Sequence, residues 1–153
     1  MSLPSPDYVV QLSQTLATLT SPGPERQAAE THLSTTLLRG NPAHLILGLL
    51  SLATSPAAPE DHRILALVLQ RRLSFKPVEA RDLANPLAKE AWDLMEGTQQ
   101  EHAQQLLLTG LSGAASRREN ERKVLCGAIA EVAKALETRA SKQKRPILRS
   151  LAC

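Results

Sequence analysis

Apolar residues recur at helical spacing along most of this chain. Between Tyr8 and Thr20, Val9, Leu12, Leu16 and Leu19 fall on one face, which predicts a helix over that span. Ser5-Pro6-Asp7 precedes it, with Asp7 the expected N-cap. Ser21-Pro22-Gly23-Pro24 ends it, and Pro24 opens a second helix reaching about Leu38. There Ala29, Leu33, Thr36 and Leu37 form the inward stripe, and Arg26, Gln27, Glu30 and Ser34 face out. Gly40-Asn41-Pro42 then supplies a glycine C-cap, an asparagine N-cap and a helix-opening proline. The third helix, to about Leu52, is apolar nearly all round and must be buried between neighbours. Thr54–Pro59 reads as a loop. A fourth helix spans Glu60–Leu73, with Ile64, Leu65, Leu67, Val68 and Leu69 offering contacts on more than one side.

The pattern then loosens over Lys76–Thr98, where a short helix is expected near Leu87–Met95 around Trp92. Gln100–Leu111 is the next helix, with Leu106, Leu107 and Leu111 as its core, and Ser112–Ser116 turns the chain. Glu119–Glu137 is the last, with Leu125, Ala128, Ile129, Val132 and Leu136 on one stripe. Its Val124, Leu125 and Ile129 side is expected to stay partly exposed, because the end of a helical array is open unless a polar unit caps it. That opening also predicts weak self-association. Residues 138–153 are basic, contain a proline and show no clear period, so they read as a frayed tail beyond a repeat domain at 1–137.

An arginine ahead of or within an apolar helix occurs three times, at Arg26, Arg63 and Arg122. Arg26 and Arg63 stand 37 residues apart, close to the ~40-residue period of helical-hairpin arrays of the HEAT and armadillo type. Arg63 and Arg122 stand 59 apart, so the third unit carries an insertion. The fold expected is an all-α, right-handed HEAT-type solenoid of six or seven helices in about three hairpins. Such arrays hold other macromolecules, so a binding protein is expected before an enzyme.

Composition agrees. Leu and Ala carry the apolar content, and Tyr8, Phe75 and Trp92 are the only aromatic residues, which favours helix over sheet. Residues 1–115 hold 8 Lys and Arg against 11 Asp and Glu, whereas residues 116–153 hold 10 against 4. The basic surplus is therefore a tail, at Arg139, Lys142, Lys144, Arg145 and Arg149, and not the basic face that nucleic-acid binding needs. Cys126 and Cys153 imply no disulfide framework, which fits a reducing compartment, and Cys153 is too terminal for a prenylation box. The N-terminus has no signal-peptide pattern, and the apolar run at Leu45–Leu52 is too short to span a membrane.

Three stretches carry a more specific likeness: LTSPGPERQAAETHL, ILALVLQRRLSF and ENERKVLCGAIAEVAKAL. In this order, over about Tyr8 to Leu136, they resemble the N-terminal hairpins of the importin-β superfamily of nuclear transport receptors, in particular the branch carrying ribosomal proteins and histones. The acidic stretch and W-P-x-L motif usual in the family do not follow; Thr138-Arg139-Ala140-Ser141-Lys142 stands there instead. The family's receptors are also far longer, so the resemblance implies a truncated product, an alternative splice form or a misjoined gene model. It further implies that second helices of the hairpins line a concave face, that Ran in its GTP form docks there, and that cargo and nucleoporins engage later repeats. The residues carried over for Ran are Arg26 and Glu30, then Gln70, Arg71 and Arg72, then Lys123. The implied setting is the cytoplasm, the nucleus and the pore between them.

Each of these residues also has a plainer reading. Arg71-Arg72 sits where a helix C-terminus favours cations. Arg26, Arg63 and Arg122 can pair with acids between repeats. Glu119 and Glu121 begin a helix, where acids suit the dipole. His32, His44, His62 and His102 have no metal-ligand spacing, and there is no phosphate loop, nucleophile elbow or zinc-protease helix, so neither cofactor nor catalysis is expected. Two other functions remain in view: a HEAT scaffold without a transport role, and a nucleic-acid binder acting through Lys142-Gln143-Lys144-Arg145, whose affinity would fall steeply with salt.

Overall fold

The computed structural model describes residues 3–21, 23–75, 77–78, 89–113 and 117–152. Among the described residues the regular structure is helical except for one two-residue antiparallel pairing, Pro77–Val78 against Lys89–Glu90. Helix α1 is Pro6–Thr20. Its N-cap is Ser5, whose hydroxyl accepts from the Tyr8 amide at 3.2 Å, and not Asp7, which lies in the first turn where a carboxylate favours the dipole. Helix α2, Glu25–Thr31, runs through a π-helical turn at His32–Leu37 into α3, Leu38–Gly40. That wider turn rotates the following residues. Leu38 is buried and Thr36 is exposed, the reverse of what an unbroken α-helix requires.

Helix α4 is Pro42–Thr54, with Asn41 as N-cap accepting from the His44 amide at 3.1 Å. Nine of its residues are buried, among them Leu45, Ile46, Leu47, Leu49 and Leu50, so it is the central helix of the core. Helix α5 is Glu60–Ser74. A 3-10 turn at Ala91–Leu94 holds the buried Trp92. The sequence places a helix near Leu87–Met95; Leu87 lies outside the described residues, as does most of the turn expected at Ser112–Ser116. Helix α6 is Gly97–Ser112, opened by a capping box between Glu96 and Gln99.

Helix α7 runs from Glu119 to Ala152, through the residues the sequence suggests are frayed. Residues 139–145 are mostly Arg, Ala, Lys and Gln, good helix formers that continue the helix past Glu137, although Pro146, the poorest helix former, lies further along it. Its first residues are not a tail at all. Arg139 reaches back to Asp93 at 2.8 and 2.9 Å and to Glu90 at 2.6 Å, and its guanidinium lies 5.5 Å from the Phe75 ring centre.

The helices pair in sequence order, α1 with α2, α4 with α5, and α6 with α7. α4 packs between α1 and α6, and α5 packs on α7, so α1, α4 and α6 form one layer. α5 and α7 form the second, with α2 beside α1 but not packed closely on α5. The inward side of α6 is Gln99, Ala103, Leu107 and Gly110, while Leu111, expected in the core, is 43% exposed. Leu125 is buried, against the expectation of an open α7 side, because Gly110 admits it and Thr54: a Cβ on Gly110 would lie 3.2 Å from the Thr54 methyl and 3.5 Å from Leu125. Val124 and Ile129 are half-buried.

Gly48 does the same between α4 and α1. A Cβ there would lie 2.9 Å from Leu12 Cδ2 and 3.1 Å from the Tyr8 ring. Gly48→Val is expected to cost about 1–3 kcal/mol through overpacking, read as a lower midpoint in urea unfolding with an unchanged slope.

Candidate functional site

The six residues that the sequence proposes for a partner do not form one surface. Successive residues on an α-helix point about 100° apart, so the neighbours Gln70, Arg71 and Arg72 leave α5 in three directions. Gln70 points into the core. It is fully buried, its amide donating to Ser74 Oγ at 2.9 Å, and it cannot meet a partner. Arg71 points at α7, where it pairs with Glu131 and lies across Gly127, whose missing side chain makes room for the guanidinium. Lys123 stands on the surface of α7, 3.4 Å from Glu119 one turn earlier.

The remaining three come together. Arg72 on α5 and Arg26 and Glu30 on α2 line a cleft of about 750 Å³ between those helices. Its other lining residues are Leu19 from α1, Leu33 from the π-helical turn, and Leu65, Leu69 and Leu73 from α5. The cleft exists because α2 rests on α1 while α5 packs on α4, α7 and α1, leaving the two second helices apart. Arg26 and Glu30 are paired along the helix at 3.5 Å, with both side chains more than half exposed, so the pair is weak and open to exchange. Arg72 is exposed and has no ion-pair or hydrogen-bond partner among the described residues. The leucines of this cleft were visible in the sequence only as helix-face positions; that they meet across two hairpins is a tertiary fact.

A second cleft, of about 600 Å³, lies between α5 and α7 and is lined by Arg71, Phe75, Glu90, Glu131, Lys134 and Arg139 among others. Its arginines are committed to Glu131, Glu90 and Asp93, so little of its charge is left for a ligand. The carboxylates beside Arg139 hold its pKa above the ordinary value, Asp93 contributing most and Glu90 next, against the opposing effect of burial.

The strongest electrostatic feature is internal. Glu121 is 1% exposed at the start of α7. Arg63 of α5 donates to it at 2.7 and 3.1 Å, and Arg117 at 2.5 Å. Arg63 also donates to the Ala58 carbonyl at 2.5 Å, and Arg117 to the Ala53 carbonyl at 2.9 Å, where α4 ends. Burial alone would raise the Glu121 pKa; hydrogen bonds from Arg63 and Arg117, with their charges, outweigh it and hold the carboxyl below the usual range. Arg63 is thus an inter-hairpin tie, as the plainer reading of the repeated arginines has it, whereas Arg26 pairs within its own helix and Arg122 has no ion pair among the described residues. Glu121 was missed because an acid at a helix start needs no further explanation in sequence. Tyr8 is pushed up to about 12 by burial, its hydroxyl without a partner and its ring edge-on to His44 at 5.8 Å.

No cluster of three His, Cys, Asp or Glu that could hold a metal occurs among the described residues. No helix among them is long and apolar enough to cross a membrane. No family model matches the chain, and neither a curated protein nor a solved structure does.

Proposed function

We propose that this chain is a HEAT-type helical-hairpin solenoid that binds a protein partner across α2 and α5, acting as the N-terminal part of a nuclear transport receptor whose partner is Ran in its GTP form. The observation that carries the binding role is the cleft between α2 and α5, the second helices of two hairpins, lined by Arg26, Glu30 and Arg72 together with five leucines. Ran, nuclear transport and the cytoplasmic and nuclear setting come from the resemblance of the three ordered stretches, with cargo and nucleoporins belonging to the full-length receptors. The paired order of the helices favours the solenoid reading, since a closed bundle would not leave α2 apart from α5.

Titration with Ran loaded with GTP or GDP, followed by calorimetry, tests this. Binding selective for the GTP form is expected, weaker than that of an intact receptor because fewer repeats contribute. Arg72→Glu is the clean charge reversal, since Arg71→Glu would also break the tie to Glu131. Equal binding to both nucleotide states, or none, would leave a HEAT scaffold without a transport role as the better reading.

A further inference from the structure

We infer that the cleft between α2 and α5 is a docking groove for an acidic amphipathic helix, its aliphatic face seated on the leucines and its carboxylates held by Arg72 and Arg26. This rests on the binding role proposed above and names the chemistry of the segment that fills the site; it does not depend on that segment belonging to Ran.

The floor selects the apolar half. Leu33 stands on one wall, Leu65, Leu69 and Leu73 on the other, and Leu19 comes from the helix beneath. Leu65, Leu69 and Leu73 repeat every fourth residue and form a ridge along α5. A helix laid beside such a ridge offers anchors at i, i+3 or i+4 and i+7. Leu65 and Leu69 are only half-buried, whereas Leu19, Leu33 and Leu73 are buried, so the ridge still has apolar surface to cover.

The rim selects the charge. Arg72 follows the ridge on α5 and has no acidic partner among the described residues. Arg26 faces the same cleft from α2. Two guanidiniums across an apolar floor complement carboxylates flanking an aliphatic stripe, and Arg binds a carboxylate through two parallel N–H groups. Glu30 shares the rim with Arg26 and disfavours an acid directly above it. The groove is therefore most cationic at the Arg72 end, and the segment's acids belong there. A basic helix would place its charges against Arg72, with only Glu30, already paired to Arg26, on the rim to attract them.

The test uses the whole chain and a labelled synthetic peptide of about 15 residues, helix-favouring, with Leu at i, i+4 and i+7 and two Glu flanking the stripe. A Glu-to-Lys version of the peptide and one with scrambled order serve as controls. Fluorescence anisotropy should show saturable binding of the acidic peptide, weaker at high salt, and little binding of either control. Arg72→Glu should weaken the acidic peptide about tenfold and improve the Lys version. That residue is exposed, so the variant's unchanged helical circular dichroism separates lost binding from lost folding. Leu69→Gln should weaken the acidic peptide on the parent chain and the Lys version on the Arg72→Glu chain alike. Equal binding of the Glu and Lys peptides, tight binding of the scrambled one, or indifference to Arg72→Glu would overturn the assignment. Nucleotide-selective binding of Ran with no acidic-peptide binding would overturn the groove and spare the transport reading; the opposite pattern would do the reverse.

Discussion

Glu121→Gln is expected to lower the stability of the fold by ~3–5 kcal/mol, the cost of removing one member of a buried ion-pair network and leaving its partners uncompensated. Two arginines depend on this carboxylate, with side chains 16% and 12% exposed, and a neutral amide cannot receive both forks. The loss is not confined to the charge. Arg63 and Arg117 also carry hydrogen bonds to the carbonyls of Ala58, Ala53 and Thr54, at the end of α4 and in the loop that follows. An apolar triple replacement of Arg63, Arg117 and Glu121 should therefore recover only part of the loss, although buried ion pairs can often be replaced by apolar groups at little cost. Urea unfolding followed by circular dichroism reads both values. A Glu121→Gln variant within about 1 kcal/mol of the parent would show that the network contributes little.

The same carboxylate sets a pH dependence of definite sign. Its folded pKa lies below the usual value, so the unfolded chain binds the proton more readily. The contribution is full above the unfolded-chain value of about 4.3 and is lost as pH falls through the lower folded value. Stability should thus decline on acidification below about pH 5, and Glu121→Gln should flatten that decline. Parallel pH profiles for parent and variant would remove Glu121 as its source.

Most helices were legible because each carries a stripe at the 3.6-residue period and an explicit stop. Leu12, Leu16 and Leu19 in α1 and the Asn41 cap of α4 lie where periodicity and cap chemistry put them. The burial of Gln70 was legible too, since Ala66, Leu67, Gln70, Leu73 and Ser74 share one helical face; its position in the motif that carries the family resemblance placed it on the partner surface instead. Other features had no local signal. The π-helical turn that swaps Thr36 for Leu38 leaves no mark on spacing short enough to read. Arg139 looked like part of a basic tail because its partners, Glu90 and Asp93, lie 49 and 46 residues away. The gap between α2 and α5 depends on which helices touch, and a pattern along one strand of text cannot hold that.

Trp92→Ala is expected to cost ~3–5 kcal/mol, the range for deleting a large buried aromatic side chain. The indole is fully buried in a four-residue 3-10 turn that packs on α4 and α5, with the Phe75 ring 5.9 Å away. So short a turn has little backbone hydrogen bonding of its own, and the Gln100 amide, donating to the Trp92 carbonyl at 2.9 Å, cannot hold it alone. Once the indole is gone, the turn loses its anchor, and the Arg139 contacts to Glu90 and Asp93 lose the frame that aims them. Trp92→Phe separates volume from polarity. The indole Nε1 has no hydrogen-bond partner, so phenylalanine gives up packing volume without a lost bond and should cost only about 1–2 kcal/mol. Urea unfolding monitored by circular dichroism, which does not need the tryptophan signal, measures both. Equal losses for the two variants would mean that the indole's polar edge, and not its bulk, secures the turn.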